Sequence, residues 1–238
     1  VMDELAEKLG KDPVHFRLDN TAKEGMRRSD GVVYPRIGAK ECLEVVRDSK
    51  HYKSALTGPN QGRGVALGYW FNIGYKSAVT ASVNTDGTVQ LVEGSTDIGG
   101  TRTSIAMQFA ETLGLAAEDI NPSVGDTSSI GYTDVTGGSR TTHATGLAAI
   151  KAAEDIQAQL CQRAAILWDV EAEGVEYSDG QLTEVNGSEP RTISFTEISG
   201  KLNQTGGPVV GRGSVNADKH GGAFGTHIAD VEVDPDTG

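Results

Sequence analysis

Two short stretches concentrate the chemistry-bearing residues of this chain. The first is Ile98-Gly99-Gly100-Thr101-Arg102-Thr103-Ser104, which leads into the amphipathic run 105–113. The second is Thr136-Gly137-Gly138-Ser139-Arg140-Thr141-Thr142, which leads into the long run 146–168. Each sets paired glycines beside hydroxyls and a guanidinium where the periodicity predicts a helix entrance. The first turn of a helix has four unbonded N–H groups and about half a positive charge. Glycine lets a ligand come close to that backbone. Hydroxyls donate to oxygen, and arginine can hold a phosphate or oxo group with two parallel bonds. These residue types in this order suit an anionic or oxyanionic cofactor held by backbone and hydroxyl groups, and they specify no reaction. A capped helix after a tight turn uses the same residues, and spacing alone does not choose between the two readings. Neither stretch has the GxxxxGK[ST] pattern, nor GxGxxG after a strand, so the common phosphate fingerprints are missing.

The surrounding elements read as α+β, with hairpin-rich mixed sheets and packed helices. Residues 1–10 have Met2, Leu5, Ala6 and Leu9 at helical spacing. Asp12 and Pro13 read as the cap and first residue of a second helix. A third helix covers 39–50, with Cys42, Leu43 and Val46 on its buried stripe. Strand patterns follow at 62–72 and 76–96, the latter broken by the hairpin signal Asn84-Thr85-Asp86-Gly87-Thr88. A helix from about Thr103 to Leu113 stops at Gly114. Residues 120–127 read as a short buried strand, and 128–145 as a loop dense in Gly, Ser and Thr. The long helix 146–168 precedes a second hairpin around Asp179-Gly180. A short helix then buries Phe195, Ile198 and Leu202, and a closing strand runs through 222–234. The polar stretch 51–62 suggests a boundary, with one unit at 1–58 and another at 59–238.

Bulk properties narrow the partners. The chain has 238 residues, 37% hydrophobic and 23% charged, with net charge −12. That balance argues against nucleic acid and anionic membrane surfaces, which require a basic face. No apolar run approaches the roughly 20 residues needed to span a bilayer. Cys42 and Cys161 lie far apart without CxxC spacing, so zinc and a disulfide scaffold are poorly supported. Two such thiols fit a reducing compartment, which makes the cytoplasm the expected location and the periplasm the alternative. The chain begins inside a helical pattern and ends on a turn, as an internal piece of a longer protein would.

The pattern STDIGGTRTSIAMQFAETLGL, then EDI, GDT and GYTDVTGGSRTTHATGLAAIKAA, resembles the molybdenum-binding subunit of the xanthine dehydrogenase / aldehyde oxidase family. The opening MDELAEKLGKDPVHFRLDN and the closing GAFGTHIADVEVDPDTG extend the resemblance over nearly the whole chain. It implies a molybdenum-cofactor-dependent hydroxylase acting on aldehydes or aromatic N-heterocycles, with water as oxygen source. The implied cofactor is molybdopterin carrying Mo, with the cytosine dinucleotide form favoured. No side chain is expected to ligate the metal directly. The implied partners are a small-molecule substrate, an iron–sulfur subunit or domain with 2Fe–2S clusters and, in many members, a flavin (FAD) subunit.

By the same resemblance, Ile98, Gly99, Gly100 and Arg102 approach the cofactor. Thr136, Gly137, Gly138, Ser139, Arg140 and Thr141 form its second cradle. Gly138→Val is then expected to abolish cofactor retention by filling the ligand's approach. Tyr69, Trp70 and Phe71 fall where the family lines its substrate funnel, although large aromatics are also usual core residues. Most members have Gln where this chain has Gly100, and Gly100 offers no side-chain donor. The family's general-base Glu is expected beyond Gly238, so no catalytic residue is assigned within the chain. The competing reading is a non-catalytic structural or interaction module whose glycine loops are only helix caps.

Overall fold

The computed structural model describes residues 1–126, 128–185, 187, 189–218 and 220–238. In chain order the elements are α1 (Met2–Lys8), α2 (Pro13–Asn20), α3 (Ala39–Asp48), α4 (Lys50–Lys53), β1 (Gln61–Asn72), β2 (Tyr75–Val83), β3 (Val89–Glu93), α5 (Thr101–Leu113) and β4 (Ile120–Val124). There follow α6 (Gly146–Trp168), β5 (Val175–Ser178), β6 (Gln181–Glu184), β7 (Thr192–Ser194), α7 (Phe195–Ser199), α8 (Leu202–Thr205), β8 (Val210–Ala217) and β9 (His220–Glu232). The chain forms two compact units, Val1–Asn72 with His220–Gly238, and Ile73–Lys219. The expected boundary at 58/59 is therefore displaced. The cause is the long antiparallel ladder between β1 and β9, which binds the closing strand to the N-terminal unit.

The N-terminal unit packs Val14, Leu43, Val46 and Val65 into a small core. As its sequence signals, α2 starts on Asp12, whose carboxylate accepts from the amides of Val14 and His15 at 2.9 Å. Arg17 is buried and ties the unit's pieces together. It donates to Asp3 at 2.6 Å, to Pro13 O at 3.0 Å and to Val65 O at 2.6 Å.

The larger unit is built on a four-stranded sheet ordered β4-β3-β2-β8, with a second sheet ordered β5-β6-β7. The hairpin patterns form as expected. β2 and β3 pair antiparallel, and β5 and β6 do so across Asp179 (φ 47°) and Gly180 (φ 73°), the two positive φ angles a tight hairpin turn needs. The main sheet is mixed, as expected, and its parallel pair is one that the hairpin signals do not mark. β3 and β4 are parallel, with α5 between them in the chain, which makes a βαβ unit. β4 is an edge strand only partly buried, and Pro122 lies within it, consistent with the missing N–H of proline. β8 was not evident in the sequence because glycine alternates through it at Gly211 and Gly213. It pairs with β2 along its length.

The core of this unit is the layer between the sheet and α5/α6. Ile105, Phe109, Leu113, Ile156 and Leu160 are fully buried there. Ala148, Ala149, Ala152 and Ala153 are fully buried too, and give α6 a face with little bulk. A helix with so little bulk can approach a sheet closely, and its entrance is thereby fixed in place. Phe195, Ile198 and Leu202 are buried as expected, spread over α7 and the start of α8. Cys42 and Cys161 are free thiols, and burial pushes the Cys161 thiol up. No helix among the described residues is long and apolar enough to cross a membrane.

Candidate cofactor-binding site

The first glycine loop leaves β3 and enters α5 two residues earlier than the periodicity suggests. Asp97 organises it. Its carboxylate accepts from the Gly100 amide at 3.1 Å, the Arg102 amide at 3.2 Å and the Thr101 hydroxyl at 3.2 Å. The Ile98 amide donates to Thr101 Oγ1 at 3.0 Å. The Arg102 amide, helped by the Thr101 hydroxyl and the Gly100 amide, holds the Asp97 carboxyl below the usual carboxylate range, against the opposing effect of burial. Part of the positive helix end is thus occupied by the chain's own anion, as in an ordinary cap. The outward side of the loop is different. Gly99 and Gly100 have φ of 59° and 95°, and a Cβ built on either would meet nothing within 4 Å. Bare backbone faces open space there, beside an exposed Ile98 and an exposed Arg102. The Arg102 Nε sits 3.5 Å from Asp97. Space that would admit a side chain at Gly100 is free.

The second loop runs into a π-helical turn, Thr141–Thr145, ahead of α6. Such turns are uncommon and often accompany functional sites. Gly137 and Ser139 face outward, and Thr136 is half-buried. Ser139 has φ 55°, a conformation that costs a non-glycine residue about 1–3 kcal/mol unless its surroundings impose it. Two expectations change here. Thr141 is buried, so its side chain faces the fold. Arg140 is wholly buried and does not reach for phosphate. Its Nε donates to Gly74 O at 2.9 Å and its Nη1 to Asp134 O at 2.9 Å. Its Nη2 donates to Lys76 O and Ser77 Oγ. The guanidinium is a staple between the loop and the start of β2. Burial lowers its pKa from the ordinary arginine value, and the Asp134 carboxylate opposes that shift.

Gly138 also turns inward. Its carbonyl accepts from the Ile73 amide at 3.0 Å, and a Cβ built on it would run into the Ile73 side chain. The reason first given for Gly138→Val is thus corrected: the added side chain would meet Ile73 rather than a ligand. With φ at 65°, a β-branched residue there adds about 1–2 kcal/mol of backbone strain. Gly138→Val in the complete subunit is expected to displace this loop and lower pterin content together with the unfolding midpoint. Unchanged values of both would show that the loop does not depend on this packing.

The π-turn and the start of α6 pack against the middle of α5 and against Ser95 at the start of the first loop. Gln108 Nε2 on α5 donates to Thr142 O at 3.3 Å. Thr145 Oγ1 is 2.6 Å from Ser95 Oγ and 2.9 Å from Ser77 Oγ. Beside the end of β3 opens a cavity of about 370 Å³ lined by Gly94, Ile130, Gly131, Tyr132 and Thr133. The outward residues are Ile98, Gly99, Gly100, Arg102, Gly137 and Ser139. Open backbone at two loops leading into helices and an exposed guanidinium form a donor set that fits an anionic cofactor. Thr127 of the GDT pattern lies outside the described residues. No cluster of three or more His, Cys, Asp or Glu suited to a metal ion occurs among the described residues.

Tyr69, Trp70 and Phe71 lie on β1 in the other unit, and they are not core aromatics. Trp70 is 59% exposed and stacks on Phe71 with ring centroids 5.4 Å apart. Tyr69 packs against Phe224 at 5.0 Å and accepts from Arg28 Nη1 at 3.0 Å.

One residue escaped the reading by motif. Glu93 ends β3 and is fully buried. Its Oε2 accepts from the Ser95 amide at 2.9 Å, while its Oε1 has no hydrogen-bond partner among the described groups. The signal was present in the strand alternation, which sets Glu93 on the same face as Val89 and Leu91. A carboxyl at a core position needs a reason.

Residues 41–238 match the family described as the molybdopterin cofactor-binding domain. The aldehyde oxidoreductase molybdenum-binding subunit PaoC of Escherichia coli (strain K12) is 30% identical over 250 residues, covering 100% of this chain and 32% of that protein. A putative xanthine dehydrogenase molybdenum-binding subunit, XdhA, of the same strain is 27% identical, covering 98% of this chain and 34% of that protein. The chain thus spans about a third of the length of these relatives. Among solved structures, quinoline 2-oxidoreductase from Pseudomonas putida 86 superposes with a TM-score of 0.77 at 19% identity, over 99% of this chain and 34% of that one. The aldehyde oxidoreductase from Desulfovibrio desulfuricans superposes with a TM-score of 0.64 at 25% identity, over 100% of this chain and 26% of that one.

Proposed function

Because the chain belongs to the molybdopterin cofactor-binding domain family, we propose that it is part of the molybdenum-binding subunit of a hydroxylase. The proposed substrates are aldehydes or aromatic N-heterocycles, with water as oxygen source. The observation that carries the reading is that two loops leading into helices, tied through Ser95 and Thr145, have glycines, Gly99, Gly100 and Gly137, that face open space. When bound, the molybdenum cofactor supplies the two-electron redox chemistry that this chain's side chains lack. The chain's own contribution is binding and orientation. The outward amides of both loops and the Ser139 hydroxyl donate to the anionic groups. Arg102 adds positive charge at the rim, tempered by its pairing with Asp97. The open space at Gly100 admits a water or a substrate atom where a longer side chain would stand. The exposed Tyr69–Trp70–Phe71 surface on β1 offers flat apolar contact to an aromatic substrate.

The cytosine dinucleotide form of the cofactor, an iron–sulfur partner and a flavin partner are part of the same proposal. Their support is that the matched relatives are molybdenum-binding subunits by description. The test is metal and pterin analysis of the complete subunit, produced in a host that makes the cofactor. Stoichiometric molybdenum and pterin, with cytidine monophosphate released on acid hydrolysis, are expected. A folded subunit with neither metal nor pterin would leave the glycine loops as helix caps and support a structural module instead.

A further inference from the structure

Behind the two loops runs a continuous buried line of polar groups. Arg140 Nη2 donates to Ser77 Oγ. Ser77 Oγ lies 2.9 Å from Thr145 Oγ1, and Thr145 Oγ1 lies 2.6 Å from Ser95 Oγ. Ser95 in turn binds the Glu93 carboxyl through its amide at 2.9 Å, and its hydroxyl, which meets Thr145, adds a weaker pull on the same carboxyl. None of the five residues is more than 1% exposed. The line begins on the second loop, crosses β2 and the π-turn, and ends where β3 gives way to the first loop. It joins the two halves of the site with no apolar gap.

The proton count along the line depends on its far end. Arginine only donates, so Ser77 Oγ must accept at the Arg140 end. With Glu93 ionised, each hydroxyl points onward, from Ser77 to Thr145 to Ser95 to the carboxylate. Glu93 Oε1 is then a buried, charged oxygen with no donor, which is costly. With Glu93 protonated, the acid proton can go to Ser95, and the hydroxyls turn back towards the second lone pair of Ser77. The charge is then gone from the buried end.

We propose that Glu93 is a positioning residue whose acid form, acting through the hydroxyls of Ser95, Thr145 and Ser77, holds the two cofactor loops together against Arg140. The inference rests on the proposed cofactor site. The surroundings support the acid form. Burial pushes the Glu93 carboxyl up, and the Asp97 carboxylate pushes the same way. The Ser95 amide and hydroxyl and the Arg102 guanidinium oppose them without reversing the direction. The strand partners Val79 and Val124 bring no charge, and the π-turn and its lead-in bring Arg140 and His143. A group with a raised folded pKa contributes its stability fully below the unfolded value and loses it as pH rises through the folded one. The clamp therefore weakens on the alkaline side of the ordinary carboxylate range.

The experiment follows pterin retention in the complete cofactor-loaded subunit, by fluorescence of the pterin released after dilution, across pH. Wild type is expected to release pterin faster as pH rises, by up to about tenfold per pH unit, the limit for one titrating group. Glu93→Gln, a neutral mimic of the acid, is expected to retain pterin with a flat profile, and Glu93→Ala to release it at every pH. If Glu93→Ala does not fold, Thr145→Val and Thr145→Ser decide: the valine variant is expected to release pterin and the serine variant to hold it. The proposal fails if Glu93→Gln releases pterin as fast as Glu93→Ala, if it keeps the wild-type pH profile, or if Thr145→Val retains pterin like wild type. A wild-type subunit that contains no pterin overturns the proposed function itself, a result distinct from any of these.

Discussion

Replacing Arg140 with Met is expected to destabilise the larger unit by about 3 kcal/mol and to empty the site of pterin. The guanidinium serves the carbonyls of Gly74, Lys76 and Asp134 and the Ser77 hydroxyl from inside the fold. Met fills comparable volume without a single donor. Those buried acceptors then lose their partner at once, and each buried unsatisfied group costs about 1–3 kcal/mol, partly recovered where water can enter. For a unit of this size a 3 kcal/mol loss lowers the unfolding midpoint by roughly 10 °C. Arg140→Lys is expected to do little better. An ammonium on a flexible stem cannot reach carbonyls set around a planar fork. The measurement is thermal unfolding of the complete subunit followed by metal and pterin analysis. Wild-type stability in Arg140→Met would show that the guanidinium is a passenger in its cavity.

Arg140 also shows where sequence reading runs short. Paired glycines, hydroxyls and an arginine at a helix entrance suit an anion cradle, and both loops do lead into helices. Residue types do not reveal direction. Arg102 and Arg140 occupy matching places in their loops, yet one is exposed and the other fully buried. The difference lies in what surrounds them. Gly74, Lys76 and Asp134 present carbonyls that converge on one point only after β2 and the loop have folded, and no local pattern encodes that convergence. Asp97 is similar. As one more loop carboxylate it had no evident role, and in the fold it satisfies the first turn of α5. The local signals were the most legible ones. Asp12 as a cap, the Asp179-Gly180 hairpin and the length of α6 all depend on neighbours in the chain. What stayed hidden depended on distant partners: β8 pairing with β2, and β9 returning to β1. Glu93 falls between, since strand alternation marks it as buried but not what it meets.

Gly213→Ala is expected to have the second large effect, through packing alone. Gly213 lies in β8 opposite Val79, with α6 crossing directly above. A Cβ at this position would collide with the Ala148 carbonyl and come against the Ala152 amide of α6. Backbone atoms of a helix cannot rotate aside as a flexible side chain can, so the helix or the strand must move. Overpacking of this kind costs about 3 kcal/mol when the obstacle is rigid. The consequence reaches the site because α6 continues directly from the π-turn. Raising α6 off the sheet stretches Thr145 away from Ser77 and Ser95, whose spacings of 2.9 and 2.6 Å leave little slack. Pterin content and unfolding midpoint should therefore fall together in Gly213→Ala. Gly38→Ala, where a Cβ would meet nothing within 4 Å, should leave both unchanged. If Gly213→Ala lowers the midpoint but leaves pterin retention intact, the placement of α6 does not set the geometry of the loops. The cradle would then be held by the loops' own hydrogen bonds.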